Sequence, residues 1–196
     1  MLFFYNKSHL GDVLDQRYVK AGLHPVGRLD YDTSGLILFS SNGDLTQRLL
    51  HPRHNIEKEY VATVENIVEE NNLRQKLENG VETSEGIHTA KLLKVYERFE
   101  IEHGKLSDSS EKKDEHKGDD SERLHESITV YTNVRLVVSE GKHRMVRRIL
   151  ANVGHPVKEL KRERHGMITL GDMNVGEFRH MTDDETQWAN NLLGST

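Results

Sequence analysis

Apolar and polar positions alternate with several different periods along this chain, and each period predicts an element. Leu36-Ile37-Leu38-Phe39 is a short unbroken apolar run and reads as a buried strand ending at Ser40. Asn42-Gly43 marks the turn after it, with Asp44 placed to cap a short helix over Leu45 to Leu50. Tyr60 to Val64 alternates as a strand, and Glu69 to Asn79 reads as a helix stopped by Gly80. Strand-like stretches cover Ile87 to Phe99 and Ser127 to Ser139. Val146, Ile149, Leu150 and Val153 stand at i, i+3, i+4 and i+7, which makes one apolar helix face. Val157 to Arg164 alternates again as a strand, and a last helix over Asp183 to Leu193 offers Trp188 and Leu192 for packing. Strand runs separated by isolated helices predict an α+β fold with a mainly antiparallel mixed sheet, as a single domain over residues 1–196.

Composition narrows the class. The chain has 196 residues, 35% apolar and 30% charged, enough to bury one sizeable core or two small ones. No run approaches the ~18 apolar residues of a membrane span. The N-terminal Met1-Leu2-Phe3-Phe4-Tyr5 is too short for a signal peptide and has no basic leader. With no cysteine, disulfides and thiolate metal sites are excluded. Pro52 separates His51 from His54 and breaks a shared helical face, so no metal is expected there. A soluble, intracellular protein with no membrane partner is the expectation.

The net charge of −5 argues against a nucleic-acid partner until its distribution is taken into account. Between Glu100 and Ser127 ten acids face five bases, a balance of −5, so the rest of the chain is formally neutral. That acidic stretch has almost no apolar anchor and is expected to be a disordered insertion in a hairpin loop, which costs little stability. From Glu140 to His165, eight Lys or Arg stand against three acids, the footprint of a surface for phosphates.

The candidate chemistry is concentrated in Gly27-Arg28-Leu29-Asp30-Tyr31-Asp32-Thr33-Ser34-Gly35, directly before the buried strand. A carboxylate at a glycine-framed turn gains precision from the rigid sheet behind it, and Gly27 and Gly35 are expected to let a bulky ligand approach. Asp30-Tyr31-Asp32-Thr33 also matches the DxDxT segment of haloacid dehalogenase-type phosphatases. Their second motif belongs on a distant strand, however, and here Leu38 to Asn42 follows within a few residues. Asp32 is therefore read as a turn carboxylate accepting backbone N–H bonds. Around the basic helix, at about 100° per residue, Arg144 and Arg148 point away from the apolar stripe, while Arg147 sits at its flank and can reach an enclosed cleft.

Together with three further stretches, this segment resembles the active-site motifs of the pseudouridine synthases, in the branch that modifies ribosomal small- and large-subunit RNA. The stretches are His51-Pro52-Arg53 followed by Glu57-Lys58-Glu59-Tyr60, then Glu140-Gly141-Lys142-His143-Arg144-Met145-Val146-Arg147-Arg148, then Val153-Gly154-His155-Pro156-Val157 with Leu160, Arg162, Arg164 and Gly166. Order and spacing match from about Asn6 to Asp184. The resemblance implies a catalytic domain with a central cleft that isomerises uridine in RNA, most of all ribosomal RNA, to pseudouridine without a cofactor. It makes Asp30 the catalytic aspartate, Arg147 its ion-pair partner, and Tyr60 the ring that stacks on the flipped base, as an extruded base requires. Leu160 would close the pocket over the base. With Leu160, Arg28, Lys58, Lys142, Arg144, Arg148, Arg162 and Arg164 are the candidates for substrate and RNA binding.

Three departures accompany the resemblance. An S4-like N-terminal domain typical of the branch does not precede the match, so a shortened N-terminus is expected. Ser8 stands where a proline follows Asn-Lys, and Arg144-Met145 replaces a His-Gln pair. A monomer is expected, in the cytoplasm or, with the long acidic loop as a eukaryotic sign, in an organelle. The competing expectation is an RNA-binding or ribosome-assembly protein that keeps the fold without turnover; intact Asp30, Tyr60 and Arg147 weigh against it.

Overall fold

The apolar run becomes the heart of a sheet. Strand β3 (Thr33–Ser40) is buried along nearly its whole length, because it has neighbours on both edges and packing on both faces. The computed structural model describes residues 2–5, 16, 20–103 and 127–194. In chain order these form β1 (Leu2–Tyr5), β2 (His24–Pro25), β3, α1 (Gly43–Leu50), a 3₁₀ turn (Pro52–His54) and β4 (Lys58–Glu65). Then come α2 (Glu70–Asn79), the hairpin β5 (Val81–Thr83) and β6 (Gly86–His88), β7 (Lys91–His103) and β8 (Ser127–Val138). Last are α3 (Met145–Asn152), β9 (Val157–His165), β10 (Ile168–Thr169), β11 (Phe178–Arg179) and α4 (Asp183–Gly194). No described helix is long and apolar enough to cross a membrane.

The main sheet runs in the order β11-β1-β3-β9-β4-β8-β7, with β10 on β9 and β2 on β3. β3 and β9 pair in parallel, and the other strand pairs are antiparallel, so the α+β expectation of a mainly antiparallel mixed sheet is met. The long strands β7 and β8 pair from Lys91 opposite Val137 to His103 opposite Ser127. The disordered acidic insertion expected over about Glu100 to Ser127 is strand at its edges, since β7 runs on to His103 and β8 starts at Ser127, and its remainder, residues 104–126, lies outside the described residues.

Local rules account for most boundaries. Glu69 caps α2 by accepting from Asn71 and Asn72 N–H, and Gly80, at φ 93°, ends it. At α1 the cap is Asn42, whose side chain accepts from Leu45 N–H at 3.0 Å, and not Asp44 as expected. Asp44 instead sits in the first turn, where its charge favours the positive end of the helix dipole. The predicted strand from Ile87 is broken: β6 ends at His88 and β7 starts at Lys91.

Two cores form on this frame. In the first, Leu73 and Leu77 of α2 and Ile149 and Leu150 of α3 pack on Ala62, Val64, Leu92, Val134, Leu136 and Leu160 of the sheet. Each fully buried Leu or Ile contributes roughly 1.5–3 kcal/mol. The second joins Val26, Leu36, Leu38, Leu49, Ile56, Ile168 and Leu170, with Trp188 and Leu192 of α4 packed against them. Gly166 lies under that tryptophan: a Cβ there would stand 2.1 Å from the ring.

Candidate active site

At the N-terminal end of β3 the chain makes a tight turn, Thr33 N–H donating to the Asp30 carbonyl at 2.9 Å. This holds Asp30 half-buried at the strand's edge. Gly35, two residues into β3, has φ 109°, and a Cβ on it would lie 2.2 Å from the Arg162 carbonyl oxygen on the parallel neighbour β9. Gly27 is similarly occupied, by the Leu50 side chain at 2.9 Å from an added Cβ. Gly35 therefore admits a neighbouring strand of this chain and not a ligand as the sequence had suggested, whereas Gly27 lines the cleft of the site, with only the end of the Leu50 side chain against it.

Asp30 opens on a cleft of about 350 Å³. Val138, Met145, Val146 and Leu160 of the first core form part of its wall, with Gly27 and Leu50 also lining it. Tyr60 and Lys58, two residues apart on β4, both line the cleft, as same-face positions of a strand should. Tyr60 lies opposite Arg162, and Ala62 opposite Leu160, across the β4–β9 pairing. The cleft thus gathers Asp30, Tyr60 and Leu160 with Arg28, Lys58, Lys142 and Arg162 from the sequence candidates. Arg28 and Lys142 are exposed at its edge. It also takes in Thr33, Glu140 and His143, which the sequence analysis did not single out as site residues. The Thr33 hydroxyl is buried with no hydrogen-bond partner among the described residues, the one signal that marks it.

Arg144, Arg147, Arg148 and Arg164 lie outside this lining, each engaged with the protein itself. Arg144 stands at φ 50° and ψ 26°, an uncommon left-handed conformation for a non-glycine residue, at the start of α3. Its Nη1 and Nη2 reach Asp32 Oδ1 and Oδ2 at 2.7 and 2.9 Å. Arg147 is buried on α3, donating from Nη2 to the Asp32 carbonyl at 2.6 Å and from Nη1 to the Val157 carbonyl at 3.0 Å. Its carboxylate neighbour is again Asp32, with Nε to Oδ2 at 3.3 Å. Arg148 pairs with Glu85 at 3.0 Å, and Arg164 with Glu57 and Glu59 at 2.9 and 3.0 Å.

The ion pair expected between Arg147 and Asp30 is therefore corrected: Arg147 holds Asp32. Asp30 acts on Arg144, Arg147 and Arg148 by charge at longer range. Asp32 is likewise more than the turn carboxylate it resembled. The Arg144 hydrogen bonds, ahead of the charge of Arg147, hold its carboxyl below the usual carboxylate range, against the opposing effect of burial. Burial disfavours the Arg147 cation, and Asp32 offsets part of that cost. Because Asp32 lies two residues after Asp30, the clamp ties α3 to the turn that carries Asp30.

Comparison with known proteins shows the family. Residues 6–152 match the model of the RNA pseudouridylate synthase family, and the chain belongs to that family. Among its relatives is the ribosomal large subunit pseudouridine synthase B of Bacillus subtilis, 34% identical over 168 residues, covering 84% of this chain and 56% of the relative. Another is the ribosomal small subunit pseudouridine synthase A of Escherichia coli K12, 36% identical over 164 residues, covering 83% and 57%. The chain thus spans little more than half the length of these relatives. A solved structure of a pseudouridylate synthase shares the fold, with a TM-score of 0.70 at 24% identity, covering 97% of this chain and 72% of the other.

Proposed function

We propose that this protein isomerises uridine in ribosomal RNA to pseudouridine, acting as a single catalytic domain and a monomer. The observation that carries the reading is the convergence of Asp30, Tyr60 and Leu160 on one cleft in a member of this family. A flipped uridine entering the cleft meets an aromatic ring to stack on, an aliphatic side chain over its face, and a carboxylate for its ribose. Asp30 either attacks C1′ or removes the C2′ proton; in both routes the C1′–N1 bond breaks and C5 then joins C1′. The product has the atoms of the substrate. Arg147 and Arg144 act through Asp32, fixing the turn so that the Asp30 carboxylate keeps its position when solvent is displaced. Arg28 and Lys142, exposed at the cleft edge, are placed for phosphates flanking the target.

The test is to incubate the protein with ribosomal RNA transcripts and map pseudouridine by carbodiimide-blocked primer extension. Wild-type protein should modify discrete uridines, and Asp30→Asn should abolish modification while binding the same RNA within a few fold. Turnover by Asp30→Asn at the wild-type rate would remove Asp30 from the mechanism.

A further inference from the structure

Two cations beneath the cleft have no negative partner among the described residues. Lys58 is 4% exposed and Arg162 3% exposed, and both line the cleft. Lys58 Nζ donates to the Ile56 carbonyl at 3.2 Å, and Arg162 Nε to the Leu36 carbonyl at 2.8 Å. Arg162 Nη2 is buried with no hydrogen-bond partner among the described residues. Neither side chain has a described carboxylate within ion-pair distance, whereas the buried Arg147 has Asp32. Beside them His165 is fully buried and held neutral, first by burial and then by the charges of Arg162 and Lys58; as the neutral tautomer its Nε2 donates to the Leu49 carbonyl at 3.3 Å. Burying two unpaired cations is costly, so a site built this way is complementary to an anion that arrives or forms there.

We infer that Lys58 and Arg162 form the pocket that receives the negative charge of the uracil ring as it leaves C1′. The inference rests on the proposed reaction and adds the group that stabilises its leaving base. When the C1′–N1 bond breaks, its electron pair stays with uracil, giving a ring anion with charge spread over N1 and the carbonyl oxygens. If Asp30 attacks C1′, a C1′–O bond replaces C1′–N1; if it removes the C2′ proton, a C1′=C2′ bond does. The base is the same anion in both cases. C5 of that anion then bonds C1′: in the first route the Asp30 carboxylate leaves as the C1′–O bond breaks, and in the second the C1′=C2′ bond opens as Asp30 returns its proton to C2′. The C5 proton is then lost and N1 takes one up, so no proton is gained or lost overall. Donors already in place and desolvated stabilise such charge more than water does, because they need no reorganisation. Across the sheet Arg162 lies opposite Tyr60, so the cations are set beside the ring proposed to stack on the base.

Two measurements test this. The first is binding alone: barbiturate, a pyrimidine anion at neutral pH, should bind the wild-type protein at least tenfold more tightly than neutral uracil. Lys58→Met should bring the two affinities within twofold, and Lys58→Gln serves if the first variant melts early. Equal affinities in the wild type, or no barbiturate binding, overturn the inference. The second compares single-turnover loss of uridine with that of 5-fluorouridine, whose base is the better leaving group, at the same RNA site. Lys58→Met should slow uridine cleavage by roughly 100-fold and 5-fluorouridine cleavage markedly less, because a better leaving group needs less help. An equal loss on both assigns Lys58 to positioning and overturns the leaving-group role. Wild-type protein that forms pseudouridine without preferring barbiturate overturns this inference and leaves the proposed function standing. A barbiturate preference with no pseudouridine on any transcript removes the reaction, and the leaving-group role with it.

Discussion

Arg144 grips Asp32 with both guanidinium Nη atoms, one on each carboxylate oxygen, across 112 positions of sequence. The same carboxylate lies 3.3 Å from Arg147 Nε. Asp32 is thus the joint between α3 and the turn that carries Asp30, and its neighbour two residues earlier is left to face the cleft.

Breaking that joint should cost activity more than stability. Asp32→Asn is expected to lower turnover by roughly 10- to 100-fold and to destabilise by about 1 kcal/mol, since the pair is partly solvated. A double-mutant cycle with Arg144→Gln should show coupling in turnover; strict additivity would dissolve the clamp. The carboxyl is depressed below its usual 3.8, so its stabilisation is present above that value and lost as pH falls through the lower folded value. Melting curves of Asp32→Asn and wild type should therefore converge in acid.

Lys58 should show a trade-off between function and stability. Burial, then the charge of Arg162, lowers its pKa from 10.5 to about 8. Below pH 8 folded and unfolded states both hold the proton, and the folded state bears the full penalty, on the order of 3 kcal/mol. Between about 8 and 10.5 only the unfolded chain holds it, so stability from this group rises with pH. Lys58→Met should raise the melting temperature at pH 7 by roughly 5 °C, with the gain shrinking toward pH 10.5. A gain that does not change with pH would show that the lysine's charge is not the cause.

Gly35→Ala should be among the most damaging changes in the chain. The added methyl would overlap the Arg162 carbonyl and amide, at 2.2 and 2.6 Å, in the parallel pairing of β3 with β9. Relief requires the strands to separate beneath the cleft, at roughly 3 kcal/mol or more given the positive φ. Chemical denaturation measures this directly; a loss under 1 kcal/mol would mean that the strands yield easily.

RNA affinity should fall steeply with salt, and the exposed cations should set the slope. Arg28→Ala and Lys142→Ala are each expected to reduce the slope of log K against log salt by about 0.7–1, the signature of one lost phosphate contact. Arg164→Ala should leave it nearly unchanged, because Glu57 and Glu59 already occupy that guanidinium. A reduced slope for Arg164→Ala would show that it leaves these acids for RNA.

Elements were legible in the sequence wherever a single residue's burial followed from a local period. The run at Leu36–Phe39, the stripe through Ile149 and Leu150, and the stop at Gly80 all became what their spacing implies. The motif around Asp30 and the alternation of Lys58 with Tyr60 likewise placed those three residues on a shared cleft. Partner choice was not legible. A sequence shows that Arg147 can reach inward, but whether it meets Asp30 or Asp32 depends on how far α3 sits along β3, which is decided by packing between elements more than 100 residues apart. The same holds for Gly35, whose missing side chain makes room for a strand that only the tertiary pairing brings there. It holds too for Lys58 and Arg162, which the motifs offered as substrate-binding residues but whose near-complete burial only the closed sheet produces. Local periodicity determined which residues turn inward; long-range register alone decided what each of them finds there, because contact energies between distant segments leave no mark on the spacing of either.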